Sequence, residues 1–434
     1  MLATAAPPPV ILLNGLAGSV VNARLDHLAE APHVYCTRDS KGTFDQLWVS
    51  VDELVPGVID CNFDNLRLHY NASTKAYANK PGVTIDASVD WGGVGGLDFL
   101  DAKLHVGGYF HSLIRHLEAT LGYKVGLSLR GAPYDWRQAP DGFSTVDAGA
   151  AYKGGSYFDR LRQLVEETRK LNGQRRVVLV THSMGGPTAY AFLRTMSAPW
   201  KATHIAALIA LSPPFGGALS TMKALVSGDT LGIPLITHSL FHPIQSTCAS
   251  GPWLFPQPAL WPAHEVLITS AAPSANASAA TSTASSVGSA NSTMLKWTSS
   301  NYTELAQALG LKQAAALFAG GVGALLANFA PPGVAVEVLR GGGVPTPAAF
   351  RYAEAFTPGI VPAEPATITE ADGDGTVNSR SLERAAAWRT QQSQPVRYWH
   401  FANTSHFGVL TSNPVLNRLT ALLTNFTDER QDTV

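Results

Sequence analysis

Cysteine, charge and basic runs are all scarce in this chain. Three cysteines in 434 residues are too few for a disulfide-stapled scaffold, so an apolar core must hold the fold. Charged residues make up 15% and the formal net charge is −1. With no Lys/Arg-rich run, the electrostatic footprint of a polyanion binder is missing, and nucleic acid is not an expected partner. No internal repeat sets a period along the chain. Met1 to Pro9 lack both a basic n-region and an unbroken apolar h-region, so no signal peptide is expected within the chain. The uncharged span from Gln313 to Val336 is broken by Gly320, Gly321, Gly323, Asn328, Pro331 and Pro332. No transmembrane span is expected there.

What is abundant is apolar residues, 45% of the chain, the composition of a globular protein. The length suggests about three average domains, or one large α/β fold enlarged by insertions. The patterning favours the second. Val10–Leu13, Val125–Leu129, Val177–Val180 and Ile205–Leu211 are apolar runs of buried-strand length. Helical patterns such as Tyr157–Lys170 and Thr188–Met196 separate them, so a mostly parallel sheet with helices on both faces is expected. Beyond Leu211 the pattern dissolves, and 270–293 is an Ala/Ser low-complexity segment. It resumes at Val334–Leu339, then Thr367–Thr369 and Val396–Trp399. The intervening block reads as an insertion into one fold.

One segment carries chemistry. Val177–Val180 runs into Thr181-His182-Ser183-Met184-Gly185-Gly186 and then a helical pattern. A serine on a sharp strand-to-helix turn is the nucleophile elbow of an α/β-hydrolase fold. There the residues two before and two after the serine must be small. Gly185 satisfies this, whereas Thr181 departs from it. The turn aims the Met184 N–H, at a helix N-terminus, toward a developing oxyanion. A helix-capping serine is the plainer alternative. On this fold the acid and the histidine follow the nucleophile, on loops after later strands. Asp374, in the Gly-interleaved turn Asp372–Val377, is the favoured acid over Asp372. Of the 13 histidines, His406 alone lies between the last strand and the terminal helix. His400 falls within a strand, and His182 should point into the core.

Cys36 and Cys61 lie within one early segment and could close a loop, leaving Cys248 over; three reduced thiols fit the spacing equally. Asn-x-Ser/Thr sequons at Asn71, Asn276, Asn291, Asn301, Asn403 and Asn425 favour a secretory or lumenal protein.

At this point the chain resembles a known family, lecithin:cholesterol acyltransferase and its lysosomal phospholipase A relatives. The resemblance runs from Pro9 to about Leu423. It rests on Pro9-Val10-Ile11-Leu12-Leu13-x-Gly15-x-x-Gly18, Arg130 to Arg137, Thr181 to Gly186, Ser212 to Gly217, Ser227-Gly228-Asp229, Pro252 to Pro256, Gly343 to Pro347 and Asp372 to Val377. It implies a triad of Ser183, Asp374 and His406, and oxyanion donors at the backbone N–H groups of Leu16 and Met184. It further implies a Cys36–Cys61 disulfide closing a lipid-docking subdomain (33–65), with Leu47 and Trp48 in lipid or acyl contact. A cap domain (217–345) with a mobile lid (227–255) is the other insertion implied, within a hydrolase core spanning 8–434. Trp48 as a packed core residue is the competing reading. The implied enzyme needs no cofactor or metal, takes an acyl donor from a phospholipid bilayer or lipid particle, and passes the acyl group to a lipid alcohol or to water. A plain soluble esterase, or a catalytically inactive lipid-binding module, are the alternatives. Two departures stand out. Leu13-Asn14-Gly15 replaces the family's Pro-Gly after the first strand, and the late second disulfide has no cysteines here.

Overall fold

The computed structural model describes residues 6–50, 58–145, 155–231, 237–273 and 294–426. At its centre is a six-stranded sheet: β1 (Val10–Leu13), β2 (Leu129–Gly131), β3 (Val177–His182), β4 (Ile205–Leu211), β5 (Ala335–Gly342) and β6 (Val396–Ala402). The strands lie in the order β6-β5-β4-β3-β1-β2, and every pairing is parallel. The unbroken apolar runs follow from burial on both sides. Val178 and Val180 join the core on one face with Val10 and Leu12, while Val177 and Leu179 join the other with Ile11 and Leu13. Each such side chain contributes about 1.5–3 kcal/mol relative to exposure.

Helices cover both faces. Tyr157–Leu171 starts at a capping box between Ser156 and Asp159 and packs Phe158, Leu161 and Val165 beside the elbow helix Gly185–Thr195. On the opposite face, His111–Leu121 and the terminal helix Asn413–Asn425 contribute Leu113, Leu117, Leu416 and Leu419.

The small sheets depart from the expected pattern. Val125–Leu129 does not form a strand. Val125 and Leu127 are exposed in a turn and β2 begins at Leu129, because the Lys124 carbonyl accepts from the N–H groups of Leu127, Ser128 and Leu129 and curls the backbone. Thr367–Gly373 belongs not to the central sheet but to a separate four-stranded one, ordered Met294–Trp297, Ile268–Ala271, Val344–Ala355, Thr367–Gly373. Its pairing with Val344–Ala355 runs past the expected cap end at 345, and the core strand β5 lies inside the 217–345 span read as the cap.

In the segment read as a lid, 237–255 folds into His238–Gln245 and Ser250–Trp253, while 232–236 lie outside the described residues. Most of the low-complexity segment, 274–293 with Asn276 and Asn291, also lies outside them. Between Lys312–Ala319 and Ala324–Ala327 the helix breaks around Gly320–Gly323. No helix among the described residues is long and apolar enough to cross a membrane.

Near the N-terminus, Val21–Leu25 pairs antiparallel with both Asp45–Trp48 and Val83–Asp86. Cys36 and Cys61 are disulfide-bonded and Cys248 is free and buried. On a chain-entropy view, closing that loop contributes about 3–4 kcal/mol.

Candidate active site

Strand β3 delivers Ser183 to the C-terminal edge of the sheet in a left-handed conformation, φ +54°, the strained turn an exposed nucleophile requires. The crowding around it explains the small residues. A Cβ on Gly185 would stand 2.5 Å from the carbonyl oxygens of Leu13 and Asn14. A Cβ on Gly15 would stand 2.6 Å from the Ser183 Cβ. Thr181 is tolerated because it is buried toward β4, its hydroxyl donating to the Ile209 carbonyl at 3.5 Å.

The three residues singled out by chain order meet at this edge. The Ser183 hydroxyl lies 2.9 Å from His406 Nε2, and His406 Nδ1 lies 2.8 Å from Asp374 Oδ2. Asp374 is fully buried, and its other oxygen accepts from the N–H groups of Val377 at 2.8 Å and Thr376 at 3.1 Å. Burial alone would raise its pKa. The His406 ring and these hydrogen bonds outweigh burial and hold it below the ordinary carboxylate value. Asp372 points elsewhere, accepting from the Gly343 N–H and the Ser379 hydroxyl at the surface.

The loop after β1 lies against the serine. Among the described residues neither the Leu16 N–H nor the Met184 N–H donates within the protein. One lies on this loop and the other at the start of the elbow helix. Asn14, standing where Pro-Gly was the expectation, is buried and braces this loop. Its Nδ2 donates to the Gly15 carbonyl at 2.9 Å, and its own carbonyl accepts from the Tyr134 hydroxyl at 2.7 Å. Next to the loop opens an apolar pocket lined by Leu16, Trp136, Leu231, Phe241 and Cys248. Burial pushes the Cys248 thiol up to about 12, so it stays protonated. Among the described residues no group of His, Cys, Asp and Glu is arranged to hold a metal ion.

Leu47 and Trp48 are not at a lipid-facing surface. Trp48 is fully buried and Leu47 nearly so. The Trp48 indole stacks on Phe241 at 5.2 Å, meets Trp136 edge-on at 5.4 Å, and donates to the Ala17 carbonyl at 2.8 Å. Pairing with Val21–Leu25 turns this strand inward, so Trp48 backs Phe241 and Trp136 of the pocket wall and the loop after β1. Among the described residues, the exposed large apolar side chains of the subdomain are instead Val34, Tyr35, Phe44 and Val58, at 94%, 61%, 37% and 42%.

Two buried residues at the site carried no clear sequence signal. His182 was expected to point into the core and does, but it also touches His406 and Tyr109. Tyr109 follows a Gly-Gly pair far from any motif, and only the fold brings it under the oxyanion loop.

The chain is also similar to known proteins over most of its length. The family model described as lecithin:cholesterol acyltransferase matches residues 43–413. A lysosomal phospholipase A and acyltransferase of Canis lupus familiaris is 34% identical over 96% of this chain and 91% of its own length. The Homo sapiens protein of that name is 33% identical over 96% and 90%. A phosphatidylcholine-sterol acyltransferase of Gallus gallus is 31% identical over 95% and 89%. Among solved structures, one described as the Tle4–Tli4 complex aligns over 98% of this chain and 99% of its own with a TM-score of 0.55 at 12% identity, a likeness of fold alone. With the family model spanning most of the chain and relatives above 30% identity along nearly all of it, the protein belongs to the lecithin:cholesterol acyltransferase family.

Proposed function

We propose that this protein is a serine acyltransferase and phospholipase. The observation that carries the reading is the unbroken hydrogen-bond line from Ser183 Oγ through His406 to Asp374, set beside two unpaired N–H groups and an apolar pocket. His406 takes the Ser183 proton as the oxygen attacks an acyl ester of a glycerophospholipid. Asp374 holds the imidazole in the required tautomer and stabilises the imidazolium. The tetrahedral oxyanion sits between the Leu16 and Met184 N–H groups, each donor worth about 3–4 kcal/mol in such a site. A lysolipid leaves with the proton returned by His406, and the acyl group stays on Ser183. Water or a lipid alcohol then resolves the acyl-enzyme. How dry the insertion keeps it governs their competition. The similarity of the chain to relatives named for both activities supports a dual role.

The surface contact with lipid falls on Val34, Tyr35 and Val58. Two of them neighbour the disulfide, Tyr35 beside Cys36 and Val58 three residues before Cys61. Exposed aliphatic and aromatic side chains on a braced loop suit the headgroup–acyl boundary. The disulfide, with exposed sequon asparagines at Asn71, Asn403 and Asn425, supports life in the secretory pathway as a peripheral rather than a spanning protein.

The test is fluorophosphonate labelling with product analysis. Wild type should label at Ser183 and Ser183→Ala should neither label nor turn over, while keeping its melting temperature. On phospholipid liposomes, released fatty acid should give way to acylated acceptor when a lipid alcohol is added. Labelling of Ser183→Ala at another serine would sink the assignment.

A further inference from the structure

Under the catalytic residues lies a second hydrogen-bond chain. Gly15 N–H donates to the Tyr109 oxygen at 2.8 Å, the Tyr109 oxygen lies 2.5 Å from His182 Nδ1, and His182 Nε2 lies 2.9 Å from the His406 carbonyl. The proton positions follow from what each atom can do. The His406 carbonyl only accepts, so His182 carries its proton on Nε2. Its Nδ1 is therefore a lone pair, so the Tyr109 hydroxyl must donate to it, leaving the phenol oxygen free to accept from Gly15. Every donor meets an acceptor, and each proton has one place.

We propose that Tyr109 and His182 are positioning residues that tie the oxyanion loop to the catalytic histidine. At one end the chain pins Gly15, the residue before the proposed oxyanion donor Leu16. The loop lies flat on the Tyr109 ring, where a Cβ on Gly18 would stand 2.4 Å from the ring carbon bearing the hydroxyl. At the other end it holds the backbone of His406. The His406 N–H donates to the Asp374 carbonyl at 2.7 Å while its own carbonyl accepts from His182, fixing the peptide on both sides. His182 immediately precedes Ser183, so nucleophile, base and oxyanion loop share one rigid support.

His182 is suited to this because it stays neutral. Burial, reinforced by the nearby His406 ring, lowers its pKa to about 3. The two imidazoles are 4.9 Å apart, so a protonated His182 would oppose the imidazolium that His406 forms during attack. Neither Tyr109 nor His182 touches the reacting atoms. Their effect is to hold the Leu16 N–H and the His406 ring where the transition state needs them.

This rests on the ester chemistry proposed above. The test is steady-state kinetics on a soluble short-chain ester, with active sites titrated by fluorophosphonate so that unfolded molecules do not count. Tyr109→Phe keeps the ring under the loop and removes only the hydroxyl. Its kcat per titrated site should fall ten- to a hundredfold with KM within about twofold. His182→Leu should fall at least as far, and His182→Gln, which restores a donor for the His406 carbonyl, should recover at least tenfold of that loss. The double variant Tyr109→Phe/His182→Leu should be no worse than His182→Leu alone, because the two act through one chain. An unchanged kcat per titrated site in Tyr109→Phe, or losses that multiply in the double variant, would overturn the coupling while leaving the ester chemistry standing. A wild type that fails to label at Ser183 removes both.

Discussion

Two aspartates flank Gly373, and geometry assigns them different work. Asp374 is sealed, fully buried, and aims Oδ2 at His406 from 2.8 Å. Asp372 sits at the surface and ties Gly343 to Ser379. Asp374→Asn keeps the shape but stabilises the wrong His406 tautomer and removes the charge that balances the imidazolium. Turnover should fall by a factor of about 10⁴, with the fold retained. Asp372→Asn removes a solvated contact and should cost less than about tenfold. Measuring kcat for both variants decides the matter, and a larger loss in Asp372→Asn would reverse the assignment. The strand-to-helix turn at Ser183 was legible in the sequence because an apolar β-branched run ended at a serine with Gly185 two residues on. That Asp374 and His406 would meet it was legible because chain order on this fold leaves few places for such partners. Tyr109 was not. It is 94 residues from Gly15 and 73 from His182, and no local pattern encodes a contact that only the closed fold creates.

At the scale of elements, the disulfide-closed segment shows how composition misleads. A tryptophan with aliphatic neighbours in a loop fits an interface, but hydrophobicity does not say which side of a segment faces water. Here Asp45–Trp48 pairs with Val21–Leu25, and that pairing turns Trp48 against Phe241 and Trp136. The pattern of the small sheet was equally hidden. Ile268–Ala271 and Met294–Trp297 are four residues each, too short for a periodic signal, and Thr367–Gly373 is exposed until its last residue. The inner strands β1, β3, β4 and β5, buried on both faces, advertised themselves. Two variants separate surface from core in the disulfide-closed segment. Trp48→Ser should destabilise the protein by about 3–5 kcal/mol, from the cavity left and the lost bond to Ala17. Activity on soluble and aggregated lipid should then fall together. Val34→Ser/Tyr35→Ser should leave the melting temperature and soluble-ester turnover unchanged, but weaken liposome binding about ten- to a hundredfold. Unaltered liposome partitioning of that variant would remove these residues from the lipid-facing surface.

Over the whole molecule, two buried histidines, His182 beneath the site and His242 away from it, make folding sensitive to acid. His182 is fully buried with its pKa lowered to about 3, first by desolvation and then by His406. His242 is also lowered by burial, in part offset by its bond to the Leu225 carbonyl. In the unfolded chain both return to about 6.5. Between those values the unfolded state binds protons that the folded state refuses, so stability must fall as the pH drops below about 6.5. Each such group contributes a slope of at most about 1.4 kcal/mol per pH unit. Asp374 acts in the same direction but lower down. Its depressed pKa means that its contribution is complete above the ordinary carboxylate value and fades only as the pH falls through the folded one. In the range between pH 5 and pH 6.5 the histidines therefore dominate. Urea unfolding of wild type and His182→Gln across this range isolates one of them, since every other titrating group is common to both proteins. His182→Gln should be the less stable at neutral pH, having lost part of the Tyr109 chain. Its stability should nonetheless decline less on acidification, the gap between the two proteins narrowing by about 2 kcal/mol from pH 6.5 to pH 5. Parallel curves would mean that water reaches the His182 ring and that it titrates normally beneath the active site.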